Sequence, residues 1–357
     1  MTTNPPSPRL NALATAVPGH DIHHAFIDWA TPRLADERVR AIFARMTARS
    51  GIDHRWSVLP PTASGGSPVA AGGFYDVPGL PPTSTRMRAY AEHAPALAMA
   101  AITKLGDAFE PARITHIVVA SCTGFVAPGI DQILARRLGL SPTVERVLIG
   151  FMGCYAGVTA LRTARHIVRS EPGAVVLVVS VELSTLHLSL ADQPEPLLAM
   201  LQFSDGAAAG IVSAAPSGFE LGEGRSLALD DSADLIRWDI GDKGFEMQLS
   251  GEVPGRLRDA LSAPDVRRQL FVAGNPPPLL AVHAGGRSVL DAVEHALDVP
   301  ADALADSRAV LARFGNMSSA TILFVLADMM ARGATGDGIA IAFGPGLAAE
   351  AIRFTAS

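Results

Sequence analysis

An α/β fold built from two similar halves is predicted by three observations. Short β-branched apolar runs alternate with amphipathic helical stretches, a glycine turn follows most of the runs, and the spacings recur. Cys122 to Cys154 is 32 residues and His283 to Asn316 is 33, while Cys154 to Glu182 and Asn316 to Gly344 are both 28. Alternation implies a sheet covered on both faces by helices. Two matched intervals go further and predict duplicated βαβα halves related by a pseudo-twofold, 1–215 and 216–357, with the boundary in the stretch 195–220.

The elements follow in order. Residues 1–20 are Pro-rich and then extended, and 22–50 read as helix with Arg33, Arg38, Arg40, Arg45 and Arg49 along it. Residues 58–85, rich in Pro, Gly, Ser and Thr, read as a long loop. A helix over 84–105 carries Tyr90, Ala94, Leu97, Ala101 and Leu105 on one stripe, and Pro95 inside it predicts a kink or break. Strands are expected at 115–120, 146–151 and 174–182, with helices at 128–138 and 156–169 between them. In the second half, 279–283 is a strand, 287–297 a helix, 309–315 an apolar run leading into a helix at 318–332, and 338–343 the final strand.

Composition narrows the function. Among 357 residues 48% are hydrophobic and 18% charged, which suits a large core and excludes disorder. The net charge of −6, without any block of like charges, argues against a nucleic-acid surface. No leader-like segment and no apolar run of roughly 18 residues occurs, so no membrane span is expected and the cytoplasm is the default compartment. Two cysteines, Cys122 and Cys154, make no disulfide framework, and the 10 His lack ligand spacing, so no metal is expected.

Three stretches carry the chemistry. Cys154, His283 and Asn316 each end an apolar run, where a buried strand should hand over to a helix or turn and expose a side chain to a cavity. A thiol at a helix N-terminus is favoured as an anion and can attack a thioester carbonyl. An imidazole can share the thiol's proton, and with a carboxamide it can stabilise an enolate left by decarboxylation. Each has a plainer reading: a core cysteine, a satisfied core histidine, and a helix N-cap for Asn316. Their matched positions favour the chemical one.

Six motifs then carry a resemblance: Gly153-Cys154-Tyr155-Ala156-Gly157, Phe203-Ser204-Asp205-Gly206, Val253-Pro254-Gly255, His283-Ala284-Gly285-Gly286, Gly315-Asn316-Met317-Ser318-Ser319 and Phe343-Gly344-Pro345-Gly346. In this order, over nearly the whole length, the chain resembles type III polyketide synthases, the chalcone-synthase-like family of the thiolase fold. The resemblance implies a layered α-β-α-β-α core and a homodimer using acyl-CoA and malonyl-CoA without a cofactor. It makes Cys154, His283 and Asn316 a catalytic triad and Phe203 a gatekeeper, with Met247 where a second gatekeeper phenylalanine would stand. Arg45 and Arg49 fall at CoA-binding basic positions, and Ile42 replaces a third. Pocket positions fall on Cys122, Thr123, Ser184, His187, Trp238, Ser318 and Pro345. Trp238 narrows the space an aromatic starter would use, and the small residues Gly124 and Ala127 suit an apolar tunnel. Cys122-Thr123-Gly124-Phe125, Trp238-Asp239-Ile240-Gly241-Asp242 and residues 74–83 are similar to bacterial alkylresorcinol and alkylpyrone synthases, which extend fatty acyl starters.

A ketoacyl synthase making one condensation on an acyl carrier protein is the nearest alternative, and a type III synthase with a small or aromatic starter another. A catalytically dead acyl-binding homologue would be expected to have lost a triad member, and all three are present.

Overall fold

The computed structural model describes residues 7–357; the part of the expected Pro-rich segment that falls on 1–6 lies outside them. Nine strands form one hydrogen-bonded sheet: β1 (Arg9–Ala16), β2 (His116–Ser121), β3 (Glu145–Gly150), β4 (Val176–Leu183), β5 (Asp205–Ser213), β6 (Phe219–Leu227), β9 (Leu279–Val282), β10 (Gly336–Gly344) and β11 (Ala348–Ala356). The hairpin β7 (Ile236–Gly241) and β8 (Gly244–Leu249) stands apart. The sheet order is β9-β10-β11-β6-β1-β5-β4-β2-β3. Among the described residues, the parallel strand pairs of this sheet are β3-β2-β4 and β9-β10. The two halves join through a short antiparallel contact, Arg9↔Glu220 and Leu10↔Phe219.

The helices are α1 (His23–Ala30), α2 (Glu37–Ala48), α3 (Thr83–Thr103), α4 (Ile130–Arg137), α5 (Ala156–Ser170), α6 (Pro194–Met200), α7 (Val253–Ser262), α8 (Pro264–Leu270), α9 (Arg287–Leu297), α10 (Ala305–Phe314) and α11 (Thr321–Ala331). α5 and α11 touch strands of both halves, so they form a middle helical layer. α3 and α4 cover the outer face of the first half, and α7, α9 and α10 that of the second. This is the layered α-β-α-β-α arrangement. Its middle strands are buried on both faces, which explains their continuous β-branched runs: all of Val176–Leu183 is buried. Each such aliphatic side chain contributes roughly 1.5–3 kcal/mol on burial.

The duplication is visible residue by residue. Cys122 follows β2 as His283 follows β9, Cys154 and Asn316 precede α5 and α11, and Glu182 lies on β4 where Gly344 ends β10.

Four expectations need correction. Residues 22–50 are not one helix: Pro32 lies in a short 3₁₀ turn, Leu34 is extended, and the Asp36 carboxylate accepts from the Arg38 N–H at 2.7 Å to start α2 afresh. α3 runs unbroken through Pro95, which is buried in its core face. The run before Asn316 is helix α10, not a strand, so the second half lacks a counterpart of β3. The chain's last strand is β11, which returns antiparallel along β10.

Candidate active site

Cys154, His283 and Asn316 line one cavity of about 340 Å³, between the two halves. The loop that presents Cys154 is tightly specified. Phe151 (φ 56°) and Gly153 (φ 80°) both have left-handed backbones. A Cβ on Gly153 would lie 2.4 Å from Pro345 Cδ, so only glycine fits there. Cys154 then precedes the first turn of α5, whose N-terminus favours negative charge.

Electrostatics pull in two directions. Burial pushes the half-buried Cys154 thiol up to about 12, opposed by the side chains of Ser318 and Asn316. Desolvation therefore works against the lowering expected from the helix N-terminus. Burial also pushes His283 down to about 3, which keeps the free imidazole neutral. Neither ring nitrogen of His283 has a partner among the described residues, so both stay available for substrate and for the thiol proton. β10 and Gly285 hold the residue's backbone, through His283 N–H to Ile341 O at 2.8 Å and Gly285 N–H to His283 O at 2.9 Å.

Asn316 combines its two readings. Its Oδ1 accepts from the Ser318 N–H at 2.8 Å, as a cap does. Its Nδ2 donates to Gly285 O at 3.1 Å and keeps a second N–H. The Asn316 backbone pairs with Gln202 and Ser204 on either side of Phe203, so carboxamide and gatekeeper position move together.

The other expected positions divide into groups. Phe203 and Met247 line the reaction cavity and also a second, smaller cavity of about 70 Å³, where Ser184, His187 and Trp238 lie. His187 is a wall: its Nε2–H donates to Thr123 O at 2.7 Å and its Nδ1 accepts from the Phe245 N–H at 3.0 Å. Cys122, Thr123, Ser318 and Pro345 line neither cavity. The Thr123 hydroxyl is spent on Glu182 at 2.8 Å, and the Gly153 N–H reaches Cys122 Sγ at 3.0 Å. Cys122 and Ser318 instead pack around Gly153, Cys154 and Asn316. Gly124 and Ala127 line neither of these cavities. A Cβ on Gly124 would strike the Tyr90 ring.

At its mouth the reaction cavity continues, past Met46, Gln202 and Ser288, into a groove lined by Arg49 and Arg287. Arg45 is exposed on α2 but lines none of these cavities. Arg287 went unnoticed in the sequence, although it stands directly after Gly285-Gly286. Glu182 was also missed as chemistry. It is buried behind Cys154, held by Cys122 N–H, Thr123 and Ser319, and burial pushes it up to about 7.

Comparison with known proteins agrees with this geometry. Residues 12–216 match the N-terminal domain of chalcone and stilbene synthases, and 225–356 match the C-terminal domain. An alpha-pyrone synthesis polyketide synthase-like Pks18 of Mycobacterium tuberculosis is 35% identical over 285 residues, 75% of this chain and 72% of that one. Among solved structures, PKS-I of the brown alga Ectocarpus siliculosus is similar with a TM-score of 0.86 and 26% identity, covering 100% of both chains. The C-terminal type III polyketide synthase domain of Steely1 from Dictyostelium gives 0.87 and 25%, covering 98% of this chain and 99% of that one.

Proposed function

The chain belongs to the chalcone and stilbene synthase family and is a type III polyketide synthase; on that premise we propose that it loads an aliphatic acyl-CoA on Cys154 and extends it with malonyl-CoA to an alkylpyrone or alkylresorcinol. The observation carrying this reading is the convergence of thiol, imidazole and carboxamide on one mostly apolar cavity with a basic mouth. The Cys154 thiol gives its proton to His283 as sulfur attacks the thioester carbonyl, and CoA leaves as its thiol. Malonyl-CoA follows, and its carboxylate departs as carbon dioxide from a site that solvates it poorly. The enolate oxygen then meets two neutral donors, His283 and the second Asn316 N–H, which stabilise it without protonating it. Its carbanion attacks the Cys154 thioester, and the lengthened chain is reloaded or released by cyclisation. The aliphatic starter is supported by Trp238, whose ring stands edge-on to Phe203 with centroids 6.1 Å apart and closes off width.

We read the division 1–215 and 216–357 as functional too: the first half brings the nucleophile, the second the two donors. A homodimer is supported by an uncovered apolar patch on edge strand β3 and beside it, formed by Val147, Leu148, Phe151 and Phe125.

Incubation with malonyl-CoA and acyl-CoA starters from acetyl to palmitoyl, with products read by mass, tests the reading. Asn316→Ala should slow malonyl decarboxylation roughly 10²-fold while acylation of Cys154 by starter stays within a few fold. Equal loss of both steps would remove Asn316 from the enolate. Arg49 and Arg287 are proposed to meet phosphates of CoA. Arg287→Ala should then raise KM for malonyl-CoA several-fold with kcat unchanged, and an unchanged KM would dismiss it.

A further inference from the structure

Among the described residues, seven buried side-chain polar atoms lack a hydrogen-bond partner. Two are the nitrogens of His283. Three more, Arg55 Nη2, Trp238 Nε1 and Ser184 Oγ, belong to residues lining the second cavity. A buried donor left unpaired is costly, so three around one small space call for an explanation.

Their chemistry is one-sided. Guanidinium and indole N–H groups only donate, and a hydroxyl can. Arg55 is 2% exposed and forms no ion pair among the described residues. Its Nη1 donates to the carbonyls of Met200 and Phe203, both at 2.9 Å, and its Nε to His23 Nδ1 at 3.2 Å. The carboxylates that act on it are committed elsewhere. Asp205 accepts from the N–H groups of Val58 and Thr185 and from the Thr185 hydroxyl, and burial pushes it up to about 7. Asp21 accepts from the N–H groups of His23 and Arg55 and pairs with His54. A buried cation without a close counter-ion points to an absent anion.

We propose that the second cavity is the far end of the starter pocket and binds the ω-carboxylate of an acyl-thioester starter through Arg55, Trp238 and Ser184. This rests on the reading of Cys154 as the acylated thiol. The two cavities share Phe203, Met247 and Ala199 as a partition, and Met247 is the wall residue whose unbranched chain yields most easily. About 70 Å³ is several times the ~10–15 Å³ needed by one water, room for a carboxylate and the methylenes beside it. Two carboxylate oxygens can accept from all three donors at once. Remaining walls such as Phe26, Leu59 and Phe245 suit the methylenes. The malonyl carboxylate is not the occupant: an arginine holding it would stabilise the ground state and oppose loss of carbon dioxide.

The test compares ω-carboxyacyl-CoA starters with alkyl starters of equal carbon number, from hexanoyl to tetradecanoyl length, in the intact enzyme. At the best length the ω-carboxyl starter should exceed its alkyl counterpart in kcat/KM by about tenfold or more. Trp238→Phe keeps a ring and removes the N–H, and should cut that ratio about fivefold. Ser184→Ala gives the same readout where Trp238→Phe folds poorly. Preference for the alkyl starter at every length, or a ratio both variants leave unchanged, overturns the proposal and assigns the cavity to water. Intact-protein mass separates the two levels: failure of every starter to acylate Cys154 would refute the enzymatic reading, whereas acylation without ω-carboxyl preference refutes only the carboxylate site.

Discussion

Cys154→Ala is expected to abolish acyl loading and product formation together, with kcat/KM reduced by roughly 10⁴-fold or more. The side chain is half-buried at the head of α5 and bears little of the core's weight, so the melting temperature should move by only a few degrees. Intact-protein mass after incubation with a starter should show no acyl adduct. Product formed by the variant from malonyl-CoA would refute covalent catalysis at this position. The size of the effect follows from the absence of an alternative: Cys122, the chain's second thiol, is buried on the far side of Gly153 and does not line the cavity. Its thiol is also raised well above its ordinary value by burial and by Glu182.

Gly153→Ala should be the most damaging single-methyl change near the site. It imposes two penalties at once: a left-handed backbone on an L side chain, and a Cβ 2.4 Å from a proline ring that cannot swing away. Together they should cost about 2–4 kcal/mol of stability and displace the sulfur. A displacement near 1 Å is enough to lower turnover about 10²-fold. Thermal melting with kcat in the same preparation checks both, and full activity with unchanged melting would show that the loop adapts.

Much of this architecture was legible in the sequence because buried elements leave strong periodic traces. The mostly apolar, valine-rich run on β4 and the helix over α9 were readable without tertiary knowledge, and the 28-residue intervals foretold that Cys154 and Asn316 occupy equivalent places. The errors share a cause. Residues 309–315 are apolar enough for a strand, but in α10 Val310 and Leu311 face the core together with Ser307, three and four residues before them, which is helical spacing. Short apolar runs do not separate the two states by pattern alone. β11 mixes alanines with Glu350 and Arg353 and only two large apolar residues, a weak signal that pairing with β6 and β10 overrides. Cavity-lining positions were harder still. Whether Thr123 faces substrate or Glu182 depends on which side of a tight turn its hydroxyl takes, and Arg55 and Arg287 stand outside any motif the sequence announces.

The patch on β3 leads inward. Phe151 and Phe125 lie 5.8 Å and 6.1 Å, centroid to centroid, from Phe245, and Phe245 stacks at 4.3 Å on His187 at the rim of the second cavity. Phe151 is also only three residues upstream of Cys154. Three aromatic rings thus connect the molecule's uncovered edge to the second cavity and to the loop that carries Cys154. A second copy seated there, as the proposed homodimer requires, would also stiffen the sulfur's loop and set the shape of the inner chamber, so turnover and starter choice should then both depend on protein concentration.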